Sequence, residues 1–289
     1  MQDQLSIGEI ASRRIRLKYL ERGNSEGPVL LFLHGLNDHN RTFDSLIQPF
    51  LDDYRIIAPD LRGHGDSEWV QGGGYNQLDY LYDLYRLISD LRLAPVTLIG
   101  HSLGGAVVAL LAGVFPSMVD RLILMEAMGL WIPDEGNSSI SERLKGWIDQ
   151  LTLQETKTQK KIPSVEAAYE RMHEANPNLT EETARHLAFH GIRKNSDETY
   201  SWKYDYYTRG HDFSLRHEES VEIWKQISCP VLVVNAKNGL SHRIGHNDTL
   251  RYFDRVRLEI LDDAGHWIYH DQLTQMRKLI KDFIRSDFD

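Results

Sequence analysis

The chain has 289 residues, 41% apolar and 26% charged, a balance that suits a globular α/β core with room for an insertion. Its net charge of −9 repels phosphate backbones and anionic lipid, which argues against nucleic-acid and membrane-surface partners. A lone cysteine, Cys229, rules out an intramolecular disulfide and suits a reducing, cytoplasmic setting, where it reads as a small buried residue.

The opening stretch, MQDQLSIGEIASRR, is polar and lacks the apolar core of a secretory signal. No run reaches the roughly 18 apolar residues of a membrane span. Apolar, β-rich runs then recur at Ile15–Tyr19, Val29–Leu33, Tyr54–Ala58, Val96–Ile99, Arg121–Met125, Val231–Asn235 and Arg257–Leu261. The first, followed by Gly23-Asn24 and Gly27-Pro28, reads as part of an antiparallel hairpin. Between the others lie helical patterns at Thr42–Leu51, Gln77–Leu91, Leu103–Phe115 and Leu273–Ile284. Strands alternating with helices predict βαβ units and a mostly parallel sheet. Gly72-Gly73-Gly74 reads as a plain connector.

The alternation stops between residues 130 and 226. This stretch is charged and helix-patterned, and Pro133, Pro163 and Pro177 divide it into short helices. Thr180, before Glu181-Glu182, has the character of a helix cap. The expected organisation is a core of residues 1–129 and 227–289, with a helical cap at 130–226 over the C-terminal edge of the sheet, where ligands of such sheets bind. An aromatic group in the cap, Tyr200, Trp202, Tyr204, Tyr206, Tyr207 and Phe213 with Trp131 and Trp147, could line a pocket. Packing against the core is its more ordinary role.

The most informative segment is VTLIGHSLGGAVVALLAG, Val96 to Gly113. It sets Ser102 in Gly-x-Ser-x-Gly between an apolar strand and an apolar helix, the setting of a nucleophile elbow. A serine hydroxyl needs a base within hydrogen-bond reach. His266 is the candidate, in the loop Asp262-Asp263-Ala264-Gly265-His266-Trp267 after the last strand. The Leu103 amide at the start of the helix is one expected oxyanion donor. The amide of Leu36, in His34-Gly35-Leu36-Asn37, is the other. His34 itself reads as a structural histidine bonding backbone.

Taken together, these residues resemble the α/β-hydrolase superfamily. The resemblance rests on His34-Gly35, on Asp60-Leu61-Arg62-Gly63-His64-Gly65-Asp66-Ser67, on Gly100-His101-Ser102-Leu103-Gly104-Gly105 and on Gly265-His266. It spans the chain apart from the cap, and it implies the α/β-hydrolase fold with a mostly parallel central sheet. One departure concerns the acid of the triad. Many members carry an aspartate after the strand that here reads Val231–Val234, but Asn235-Ala236-Lys237-Asn238-Gly239 holds no carboxylate. Others, haloalkane dehalogenases among them, place it after the strand following the elbow helix, where this chain has Glu126. Asp248 is the alternative. Dehalogenase chemistry is not expected, because Ser102 and Leu103 stand where those enzymes carry aspartate and tryptophan.

The expected activity is that of a cofactor-free serine carboxylesterase acting on small to medium esters, with Ser102, His266 and Glu126 as the triad and the protein monomeric or homodimeric. Thioester, lactone or C–C bond hydrolysis could use the same site, and a poorly catalytic ligand receptor is a rival of another class. No metal is expected, since neither His242 and His246 nor His34, Asp38 and His39 match a strong ligand motif.

Overall fold

A computed structural model describes residues 5–72, 74–129, 139–209 and 215–286. Trp131, Pro133, Phe213 and Gly73, named above, lie outside these residues.

The strands in chain order are β1 (Ser6–Ser12), β2 (Ile15–Gly23), β3 (Val29–Leu33), β4 (Arg55–Pro59), β5 (Val96–His101), β6 (Val119–Met125), β7 (Ile192–Lys194), β8 (Tyr200–Trp202), β9 (Val231–Ala236) and β10 (Val256–Leu261). Eight of them form one sheet in the order β1-β2-β4-β3-β5-β6-β9-β10, and β7 and β8 make a separate ribbon. β1 pairs antiparallel with β2 and β2 with β4, while every pair from β4 through β10 is parallel. The central strands read as continuous apolar runs because both faces are covered. Leu122 and Leu124 of β6 enter one core cluster, and Ile123 and Met125 the other.

The helices are α1 (Asp44–Ile47), α2 (Gln77–Asp90), α3 (Leu103–Val114), α4 (Ile140–Glu155), α5 (Val165–Ala175), α6 (Glu181–Gly191), α7 (His217–Trp224), α8 (Ile268–Asp271) and α9 (Leu273–Arg285). α3 is buried on every side, which is why its sequence lacks a polar face. The single helix expected over Thr42–Leu51 is instead a 3₁₀ turn, the short α1 and a second 3₁₀ turn that contains Pro49. Proline has no amide proton for an α-helical bond, so the helix does not run through it. β1 lies in the polar opening stretch, whose composition gives no strand signal. It alternates along its length, with Ile10 and Ser12 buried and Ile7 exposed, as an edge strand does.

Between β6 and β9 lie α4 to α7 and the ribbon. Thr180 caps α6 as expected, its side chain accepting from the Thr183 amide at 3.2 Å. Tyr200 and Trp202 pack on Ile162, Ala168 and Ile192, whereas Tyr207 is exposed. Among the described residues, the segment between β6 and β9 meets the loops after β3, β4 and β10, with Trp267 of the last packed on Leu179, Ala184 and Leu187. His39 and His186 join α6 to the loop after β3, through hydrogen bonds of 3.1 Å to the carbonyls of Leu187 and Arg41. The Asp205 carboxylate accepts from Tyr75 at 2.5 Å, and its amide donates to the Gly63 carbonyl at 2.7 Å. α7 falls within residues 130–226 but packs with the core: Trp224 joins the cluster around α3, and Gly113 of α3 lies against Ile223.

Candidate functional site

Parallel pairing brings the C-terminal ends of β3, β5, β6, β9 and β10 to one edge of the sheet, and the loops that leave them carry the site. Ser102 follows β5 directly, with φ 52° and ψ −118°. A non-glycine residue there stores on the order of 1–3 kcal/mol of strain. The strain is held by backbone bonds: the Ser102 amide donates to the Met125 carbonyl at 3.1 Å, and its carbonyl accepts from Met128 at 2.9 Å and Ala106 at 3.1 Å. The loop bearing Leu36 comes close to this turn. A Cβ on Gly35 would lie 3.1 Å from the Ser102 Cβ, so a larger residue would push that loop away. Leu103 is the first residue of α3, where an amide has no acceptor within its own helix.

Ser102, His266 and Glu126 lie in contact. The Ser102 hydroxyl is 2.9 Å from Nε2 of His266, and Nδ1 of His266 is 3.4 Å from Oε2 of Glu126. These contacts fit one tautomer, in which Nδ1–H donates to the carboxylate and Nε2 accepts from the serine. Asp248 lies elsewhere. It is a surface residue paired with Arg251 at 2.9 Å.

Glu126 is fully buried and, like Ser102, has a positive φ, here 46°. Its charge is met by backbone from across the sheet edge. Oε1 accepts from the Ala236 amide at 2.7 Å and Oε2 from the Leu240 amide at 3.1 Å. Nε of the buried Arg243 lies 3.1 Å from Oε1, off the hydrogen-bonding direction. The same guanidinium donates to the carbonyls of Ala236, at 2.7 Å, and Leu240. The turn after β9, which holds no carboxylate of its own, is thus a cradle for one. Sequence reasoning did not find Arg243 or the role of this turn.

Two further groups hold His266. Nε2 of His101 donates to the His266 carbonyl at 2.8 Å, and the two rings sit 4.8 Å apart. Burial, with His266 alongside, holds His101 well below the ordinary histidine pKa and keeps it neutral. The Gly265 amide donates to Asp271 at 2.7 Å. The signal for His101 was its place beside Ser102 in Gly-His-Ser; Asp271 gave none. His34 is fully buried, with Nδ1 bonded to the Gly35 carbonyl at 2.7 Å and Nε2 accepting from the Leu61 amide at 3.0 Å. Burial holds it well below the usual range as well. Near the same loop, Asp38 accepts from Tyr269 at 3.2 Å and from the His39 amide at 2.9 Å, and burial pushes its carboxyl up to about 6.

The model of the α/β hydrolase fold family matches residues 28–273, and the chain belongs to that family. It is 26% identical over 280 residues to a serine hydrolase-like protein of Danio rerio, covering 91% of this chain and 83% of that one. Its identity to an esterase of Mycobacterium tuberculosis is 23% over 267 residues, covering 90% and 84% of the two chains. Among solved structures, the thioesterase domain from the curacin biosynthetic pathway superposes with a TM-score of 0.83 at 24% identity, over 96% of this chain and all of that domain. Among the described residues, no helix is long and apolar enough to cross a membrane.

Proposed function

We propose that this protein is a serine carboxylesterase acting on small to medium carboxylic esters through an acyl-enzyme. The observation that carries the reading is the continuous line of contacts from Ser102 through His266 to the buried Glu126. Ser102 Oγ attacks the ester carbonyl as Nε2 of His266 takes its proton. Glu126 orients the ring and balances the imidazolium charge. The amides of Leu36 and Leu103 receive the oxyanion. Collapse expels the alcohol, which leaves with the proton from His266. Water, activated by the same histidine, then releases the acid and restores Ser102. The segment between β6 and β9 acts as a cap that shapes the acyl and alcohol pockets. The relatives described as a serine hydrolase-like protein and an esterase support ester hydrolysis.

The test is hydrolysis of p-nitrophenyl esters of increasing acyl length, with matched thioesters alongside, by the parent protein and by Ser102→Ala. Ester turnover that is lost in a folded Ser102→Ala protein is the expected result. Undiminished turnover by that variant would remove Ser102 from the mechanism, and turnover of thioesters alone would move the substrate class.

A further inference from the structure

A second cluster of ligating side chains lies where α6 meets the core. His186 and His190 stand one turn apart on α6, and Asp44 opens α1; the donor atoms of the three lie within 4.8 Å of one another. The two imidazole rings meet edge-on at 4.6 Å. Nε2 of His186 is 3.2 Å from Oδ2 of Asp44. Arg41 donates to Oδ2 at 2.6 Å and Arg22 to Oδ1 at 3.3 Å, which fixes the carboxylate. His190 takes part in ring contacts with His186 and Phe189, and the ester mechanism uses none of the three ligating residues.

We propose that Asp44, His186 and His190 bind a late first-row divalent cation, Zn²⁺ or Co²⁺ in kind, which fastens α6 to the core. Two imidazoles and one carboxylate suit such ions, whereas Mg²⁺ and Ca²⁺ take oxygen donors. Histidines four apart on a helix present both rings to one ion. Metal–ligand distances near 2.0–2.1 Å place neighbouring donors of a tetrahedral site about 3.3 Å apart. Binding draws the donors together from their present span and takes Nε2 of His186 from the Arg41 carbonyl, which it bonds at 3.1 Å.

Burial, with Arg41 and His186 nearby, holds His190 down at about 4, so its lone pair is free at neutral pH. The hydrogen bonds to Asp44 and to the Arg41 carbonyl hold His186 above the ordinary histidine value. Arg22, Arg41 and Lys203 oppose the added charge, while the buried His39 and His270 beside the cluster are held down at about 3 and stay neutral. The arginines also orient the carboxylate, as outer groups do in metal sites. The two histidines are four apart in sequence, but Asp44 lies more than 140 residues before them and is joined to them only by folding.

The experiment is Zn²⁺ titration by calorimetry of the full chain freed of metal with a chelator, next to His190→Gln, with melting followed on both. One ion per chain is expected on the parent, with a Tm that rises with Zn²⁺. Affinity should fall about tenfold or more in His190→Gln, and that variant's Tm should not respond. Co²⁺ on the parent should give the visible absorption of an imidazole-ligated site. No binding by the parent, or equal binding by parent and variant, overturns the proposal. If His190→Gln does not fold, the Co²⁺ spectrum decides, and its absence on the parent likewise overturns the site.

Discussion

Gly239 stands against the carboxylate of Glu126: a Cβ built on Gly239 would fall 2.1 Å from Oε2. The turn after β9 closes on Glu126 only because position 239 lacks a side chain. Gly239→Ala must either displace the carboxylate or open the turn whose amides, Ala236 and Leu240, hold it. Either movement spoils the alignment of His266, and a misplacement of about 1 Å can cost on the order of 100-fold in rate. The expected outcome is a loss of that order in kcat, with little change in KM, measured on the best p-nitrophenyl ester. A Gly239→Ala protein with parental kcat would mean that the carboxylate is not needed in its present place.

Glu126→Gln tests the acid by chemistry rather than by displacement. The amide preserves the shape but can donate to Nδ1 of His266, which favours the tautomer with its proton on Nε2. That nitrogen can then no longer accept from Ser102. By analogy with the aspartate of serine protease triads, kcat should fall by up to about 10⁴-fold. Steady-state kinetics at saturating ester, with circular dichroism to confirm folding, gives the answer. Loss in Glu126→Gln with full activity in Asp248→Asn is the expected pattern; the reverse would hand the role to Asp248.

Much of this arrangement was legible because it is local in sequence. The elbow is a run of contiguous residues, and the two-sided burial of β5, β6 and β9 leaves a plain apolar signature. Glu126 could be found because it ends a strand. What makes it a buried anion could not be read. Its amide donors lie 110 and 114 residues away, and Arg243 reaches it only through tertiary folding. The cluster of Asp44, His186 and His190 was hidden for the same reason. The helix expected over Thr42–Leu51 is broken at Pro49, a cue present in the sequence that outweighs the apolar periodicity around it.

Arg243 ties the cradle together, and its loss should act on stability and rate at once. Arg243→Ala would take the guanidinium donor from the carbonyl of Leu240, which is half-buried, and would leave the carbonyl of Ala236 with the Gly239 amide at 3.2 Å, a loss of about 1 kcal/mol for each bond removed. It would also remove the cation beside Glu126. Arg243→Lys keeps a charge but not the fork that reaches two carbonyls. Urea unfolding should therefore rank the parent above Arg243→Lys and Arg243→Ala, and kcat should follow the same order. If Lys restores both quantities fully, charge alone accounts for the residue and the paired carbonyl bonds do not matter.

Asp38 gives a prediction in pH. Its carboxyl is buried beside Tyr269 and the amide of His39, and burial raises it to about 6 from an ordinary value of 3.8. A raised carboxyl pKa means that the folded state prefers the protonated form. In the unfolded chain the group ionises near its ordinary value, so stability is lost as pH rises from about 4 to about 6. The loss is complete above the folded value, and a shift of this size corresponds to about 3 kcal/mol. Asparagine cannot ionise and escapes that loss. The Tm of Asp38→Asn relative to the parent should therefore climb between about pH 4 and pH 6 and level off above it. A difference that stays constant across this range would show that Asp38 ionises alike in the folded and unfolded chains.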